Sequence, residues 1–112
     1  MKLLQDVRTA AIGIQHYTEG MSEADFLENQ VVRRAVEREF EIIGEALRRM
    51  SAKFPDVAAR ITDASQIISF RNVLTHGYDA VEDTIVWSIV QKRVPTLLGE
   101  VNMLAEDELT RH

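Results

Sequence analysis

Between Leu3 and Tyr17, apolar positions Leu4, Val7, Ala11 and Ile14 fall on one stripe with Leu3, Ala10 and Tyr17 beside it. That spacing predicts an amphipathic helix, and Gly20 supplies its stop. A second start follows at Ser22, whose hydroxyl can cap free backbone donors, with Asp25 favouring the positive end of the turn. Phe26 and Leu27 give that turn a buried side. From about Asn29 the stripe continues through Val32, Ala35, Val36, Phe40, Ile43, Ala46, Leu47 and Met50, which predicts a second helix of roughly twenty residues. Phe54-Pro55 ends it, because the residue before a proline is pushed out of the helical region.

A connection with room for one short helical turn, Asp56 to Ile61, leads to Thr62 and Asp63, either of which can cap a third helix. That helix runs through Ala64, Ile67, Ile68 and Val73 to about His76, where Gly77 would stop it. After a loop holding Asp79, Glu82 and Asp83, the residues Val86, Val90, Val94, Leu97, Val101 and Leu104 repeat at helical spacing. Pro95 is expected to kink or divide this fourth helix, and the polar tail from Glu106 to fray. No strand-like alternation or internal repeat interrupts the pattern. The expected fold is all-α, an antiparallel up-and-down four-helix bundle in a single domain over residues 1–112.

Gly44 breaks the pattern inside the second helix, where glycine costs about 1 kcal/mol against alanine. Either another backbone or a ligand comes close at Ile42-Ile43-Gly44-Glu45-Ala46, or the glycine is merely tolerated.

Composition narrows the classes. At 112 residues, 46% apolar and 28% charged, the chain is an ordinary globular domain, able to bury roughly two-thirds of its unfolded surface. It has no cysteine, which excludes disulfides and thiolate metal sites. No apolar run nears the ~20 residues of a membrane span, and the N-terminus turns polar too early for a signal peptide, so a cytoplasmic protein with no membrane partner is expected. The net charge of −5 argues against a broad electrostatic grip on nucleic acid, and no DNA partner is expected. A small basic pocket remains open, since arginines such as Arg33, Arg38, Arg49 and Arg71 far outnumber the three lysines and the guanidinium fork suits phosphate. Most of these arginines are expected to pair with surface glutamates.

The densest polar chemistry lies in Arg71-Asn72-Val73-Leu74-Thr75-His76-Gly77-Tyr78. On an ideal helix Arg71 and Tyr78 fall on nearly the same side, and Asn72 and His76 stack on a neighbouring line. Histidine is the natural proton shuttle near neutral pH, and arginine a clamp for a phosphodiester and its developing charge. The pair suits metal-independent RNA cleavage, with His76 exchanging protons with the ribose 2′-hydroxyl or the leaving 5′-oxygen and Arg71 steadying the phosphoryl group. One histidine cannot easily serve both oxygens, a reason to expect a two-fold dimer with an interfacial site. The plainer alternative has Arg71 and Asn72 bonding neighbouring carboxylates or helix ends, His76 capping its helix, and Tyr78 in the core. His16, His76 and His112 form no ligand cluster in sequence, Asp79, Glu82 and Asp83 lack calcium-loop spacing, and no phosphate loop or Ser/Cys nucleophile motif is present. No metal and no cofactor are expected.

These eight residues resemble the Arg-Asn-x-x-x-His-x-Tyr signature of the HepT-like (DUF86) family within the HEPN superfamily. The likeness extends to Phe26-Leu27, Ala35-Val36, Ile42-Ile43-Gly44-Glu45-Ala46, Ile85-Val86-Trp87 and Val94-Pro95-Thr96-Leu97. It implies a helical homodimer with a composite cleft and the toxin role in a prokaryotic HepT/MNT toxin-antitoxin pair. The activity implied is a metal-independent endoribonuclease in which Arg71 and His76 are catalytic and Asn72 supports them. It also implies a cognate antitoxin, a minimal nucleotidyltransferase that silences the toxin by transferring AMP to Tyr78. The competing reading is a non-catalytic, nucleotide-binding or scaffolding partner of that transferase. One departure stands out: relatives often carry a Pro-Trp pair ahead of the third helix, where this chain has Arg60-Ile61-Thr62-Asp63-Ala64-Ser65.

Overall fold

A computed structural model describes residues 1–76 and 82–110, with His76 described by its backbone alone. Seven helical segments follow one another: α1 (Lys2–Thr18), α2 (Glu23–Glu28), α3 (Gln30–Lys53), α4 (Pro55–Ala58), α5 (Ala64–His76), α6 (Asp83–Lys92) and α7 (Val94–Thr110). The all-α expectation holds among the described residues. The expected four helices become seven segments because the turn opened at Ser22 is a helix of its own, the short turn expected after Pro55 forms α4, and the fourth helix is divided at Arg93.

Gly20 turns the chain at φ 75°, and Ser22 opens α2 with a reciprocal capping box: its hydroxyl accepts from the Asp25 amide while the Asp25 carboxylate accepts from the Ser22 amide. Asn29 then leaves helical geometry and caps α3, its side chain accepting from the Val32 amide. Pro55 occupies the first position of α4, where a missing N–H costs no helical bond. The break expected at Pro95 falls just ahead of it at Arg93, so that Pro95 sits in the first turn of α7 instead of kinking a continuous rod.

The tail does not follow the expected fraying from Glu106, because α7 continues to Thr110. The α-amino group of Met1 pairs with Glu108, and Arg60 pairs with Asp107 at 2.7 Å. Thr62 and Asp63 also reach toward α7: the Thr62 amide and hydroxyl both donate to Glu100, and Asp63, at φ 58°, pairs with Arg93. The start of α5 is thus tied to a partner some thirty to forty residues downstream.

The 24-residue α3 is the hub. It packs against α1 on one side and α5 on the other, while α7 closes over α1. Val7 and Ile14 of α1, Val36, Ile43 and Leu47 of α3, and Val94 and Val101 of α7 are fully enclosed. Fully burying each such side chain contributes about 1.5–3 kcal/mol. Phe26 anchors α2, its ring 5.2 Å from that of Trp87 on α6. Phe70 anchors α5 by meeting Phe40 of α3 edge-on at 5.2 Å, the geometry that aromatic quadrupoles favour. Phe70 immediately precedes Arg71, so the contact that seats α5 also sets where that arginine lies. No helix among the described residues is long and apolar enough to cross a membrane.

Candidate active site

The site is built where α5 crosses α3 at Gly44. A methyl group added to Gly44 would stand 2.2 Å from Cβ and 2.4 Å from Cγ of Arg71. Real side chains do not approach so closely, so the stem of Arg71 occupies the space that only glycine leaves. The crossing reading of Ile42-Ile43-Gly44-Glu45-Ala46 is the one the structure bears out, and its occupant is the arginine itself.

Lying over Gly44, the Arg71 side chain is about one-fifth exposed. Its Nη2 stands 3.3 Å from Glu45 Oε2, and its Nη1 donates to Asn72 Oδ1 at 3.0 Å. Its Nε is buried and has no acceptor among the described residues. Glu45 is shared: Arg48 donates to it from Nη2 at 2.7 Å and from Nε at 3.2 Å. The Arg48 hydrogen bonds, and behind them the charges of Arg48, Arg71 and Arg49, hold the Glu45 carboxyl below the ordinary carboxylate range. A charged Glu45 in turn fixes the position of the Arg71 fork.

A groove of about 280 Å³ opens beside this fork, with Arg38, Glu41 and Glu45 of α3 on one wall and Asp6 of α1 on the other. Three hydrogen-bonding edges of Arg71 are therefore not equivalent. One faces Asn72 on its own helix, one faces a carboxylate at a longer distance, and the Nε edge is buried without an acceptor among the described residues, while the side chain borders the groove. An incoming phosphate oxygen would compete with Glu45, whose charge Arg48 continues to satisfy.

Of the four residues singled out in sequence, Arg71 and Asn72 are brought into a direct hydrogen bond. His76 closes α5, five residues and about 7.5 Å of helical rise beyond Arg71. Tyr78 and Gly77 lie outside the described residues. The plainer alternative for Arg71, a bond to a neighbouring carboxylate, is present as the Glu45 contact. The sequence reading missed Glu45 as the arginine's anchor and Arg48 as the anchor's partner. The signal was available, since an acid three residues before an arginine on a helix is a standard pairing distance.

The family model described as Ribonuclease HepT-like matches residues 7–104. A protein named "Putative RNase" from Methanocaldococcus jannaschii is 31% identical over 105 residues, covering 90% of this chain and 92% of that one. A "Putative RNase" from Caldanaerobacter subterraneus is 32% identical over 89 residues, covering 80% and 79%. A "Probable ribonuclease HepT" from Thermococcus cleftensis is 30% identical over 105 residues, covering 90% and 91%. No solved structure matches the chain. With the family match running through both sides of the Gly44–Arg71 crossing and relatives aligned over most of their own lengths, the chain belongs to the HepT-like ribonuclease family.

Proposed function

We propose that this chain is the toxin half of a toxin-antitoxin pair, a metal-independent endoribonuclease whose site is completed by a second copy of itself. The observation that carries the reading is the fixed arginine. Arg71 is locked by the glycine crossing, oriented by Glu45 and Asn72, and set beside a groove on the same helix as His76.

In the proposed reaction one His76 imidazole takes the proton from the ribose 2′-hydroxyl, and the 2′-oxygen attacks phosphorus. The P–O5′ bond breaks, and the leaving 5′-oxygen takes a proton from the imidazolium of the partner's His76. The products are a 2′,3′-cyclic phosphate and a 5′-hydroxyl, so atoms and protons balance without water or metal. Arg71 pairs with the non-bridging oxygens as charge accumulates there, the role in which a preorganised donor lowers the barrier most. Asn72 keeps the fork from rotating. Wild-type protein in excess chelator is expected to cleave a ribo-oligomer, and His76→Ala to lose that activity with its helical circular dichroism unchanged. Undiminished cleavage by His76→Ala would sink the mechanism.

Regulation is proposed on the same stretch of chain. AMP transferred to Tyr78 by a minimal nucleotidyltransferase would add an anionic, bulky group two positions along the sequence from His76. Incubation with that enzyme and ATP should add adenylyl mass to the wild type and not to Tyr78→Phe. Equal modification of both would remove Tyr78 as the main acceptor.

The occupied fork favours one other reading, a non-catalytic nucleotide-binding or scaffolding partner of the transferase in which Arg71 serves the fold. That protein would bind nucleotide in calorimetry, cleave nothing, and be harmless when expressed alone.

A further inference from the structure

The groove beside Arg71 does not end there. A second groove of about 350 Å³ continues along the seam of α1 and α3, and Leu3, Asp6 and Arg49 line both. Its far end is formed by Lys53 and Phe54 at the close of α3. On α3 the positions Arg38, Ile42, Glu45, Arg49 and Lys53 recur at intervals of three and four, one continuous face of the helix.

Charge along this face is uneven once the ion pairs are assigned. Asp6 is paired with Lys2 at 3.1 Å, Glu41 with Arg38 at 3.6 Å, and Glu45 with both Arg48 and Arg71. Every carboxylate bordering the two grooves thus has its cation, while Arg49 and Lys53 have no carboxylate partner among the described residues. They leave an uncompensated positive end, one helical turn apart on the same face. Beside them Phe54 is 43% exposed, an aromatic face open at the mouth of a cationic groove. Guanidinium, ammonium and an exposed ring in a row make the chemistry that holds a single strand of nucleic acid: cations track phosphates and a ring stacks a base.

The geometry points to an accessory single-stranded RNA track along the α1–α3 seam, with Arg49 and Lys53 on successive phosphates to one side of the scissile bond and Phe54 stacked on a base. This rests on the ribonuclease reading of the Arg71 site. From the crossing at Gly44 to Lys53 the helix rises about 14 Å, the length of about 4 stacked nucleotides. The track therefore reads length and strandedness, and it holds RNA whose scissile phosphate lies at Arg71.

The test measures kcat/KM against salt for a single-stranded oligomer of about 12 nucleotides, long enough to fill a site of this kind. Single-stranded binding loses about 0.7 in the logarithmic salt slope for each phosphate contact removed. Arg49→Ala/Lys53→Ala should thus flatten the slope by about 1.4. Lys92→Ala, which removes an exposed cation of α6 away from the seam, should leave the slope as it is. Phe54→Leu should weaken use of the oligomer about tenfold with the slope retained, because stacking is not ionic. A double variant with the wild-type slope, while the wild type cleaves the oligomer, overturns the track and leaves the ribonuclease reading standing. Equal flattening by Lys92→Ala overturns it too, since the effect would then be general charge. A wild type that neither binds nor cleaves RNA overturns both.

Discussion

Two helices cross α3 with a glycine opposite a long charged side chain, and the two crossings differ in what the missing methyl would strike. At Gly13 of α1 an added Cβ would stand 2.6 Å from Glu39 Oε2 and 3.5 Å from its Cδ. At Gly44 of α3 it would meet Cβ and Cγ of Arg71. The first neighbour is the tip of a flexible chain that can swing to water. The second is the stem, fixed to the α5 backbone, and it yields only if the helix moves. A glycine facing a tip is convenient, whereas a glycine facing a stem sets the position of a helix.

The acids beside the two crossings are perturbed in opposite directions. Burial, only partly offset by Arg38, pushes the Glu39 carboxyl above its ordinary value of 4.5. The bonds from Arg48 hold Glu45 below it. Glu39 is a charge held at a cost against α1, while Glu45 is a charge the fold stabilises beside the candidate site.

Gly44→Ala should break the contrast most strongly. Forcing α5 outward costs about 1–3 kcal/mol in overpacking, of which the better helix propensity of alanine returns about 1 kcal/mol. Displacing Arg71 by about 1 Å should lower cleavage about 100-fold. Urea unfolding and a cleavage assay check both, and a variant as stable and as active as wild type would show that the crossing is slack. Next comes Glu45→Gln, which removes the charge that orients the fork. It should lower cleavage about tenfold, because an orienting group is worth less than the group it orients, and it should change the acid limb of stability.

The sign of that pH effect follows from linkage. A carboxyl with a lowered folded pKa contributes stability above its unfolded value and loses it as pH falls through the folded one. Wild type should therefore lose stability on that acid limb, and Glu45→Gln should lose less. Glu39 runs the other way. With a raised folded pKa, the folded state holds its proton longer, so stability falls as pH rises from 4.5 upward through the shifted value and stays lower above it. Glu39→Gln should be neutral or stabilising near pH 7, by less than about 0.5 kcal/mol in urea titration. A clear loss there would show that Glu39 holds a contact worth more than its burial costs. The smallest effect belongs to Gly13→Ala. Glu39 can turn aside, alanine favours the helix by up to about 1 kcal/mol, and cleavage should not change. Loss of activity in Gly13→Ala would erase the distinction between tip and stem.

Much of the scaffold was legible in the sequence because its signals are local. The Ser22–Asp25 cap, the Gly20 turn and the breaks near Pro55 and Pro95 each depend on a few adjacent residues. Gly44 was legible as an anomaly, since a propensity cost of that size inside an amphipathic helix calls for a close neighbour. The identity of that neighbour was not, because Arg71 is twenty-seven positions away. The persistence of α7 was hidden for the same reason. A polar tail reads as frayed until Met1 and Arg60 arrive from far along the chain to pair with Glu108 and Asp107. The split between α2 and α3 was missed because Asn29, a poor helix former, lies within a stripe whose period continues across it. In the site, the i,i+3 spacing of Glu45 and Arg48 was legible as a helical pair, but that Glu45 anchors Arg71 was not, because the two residues lie on different helices twenty-six positions apart.

The most direct test of the account is single-turnover cleavage of a ribo-oligomer by Arg71→Ala in chelator. Arg48 still satisfies Glu45 in this variant, so folding should change by no more than about 1 kcal/mol. Arg71→Ala is expected to be a folded protein that has lost about 100- to 1,000-fold in rate, the worth of one preorganised donor to the developing charge. A folded Arg71→Ala protein that cleaves at the wild-type rate would contradict it.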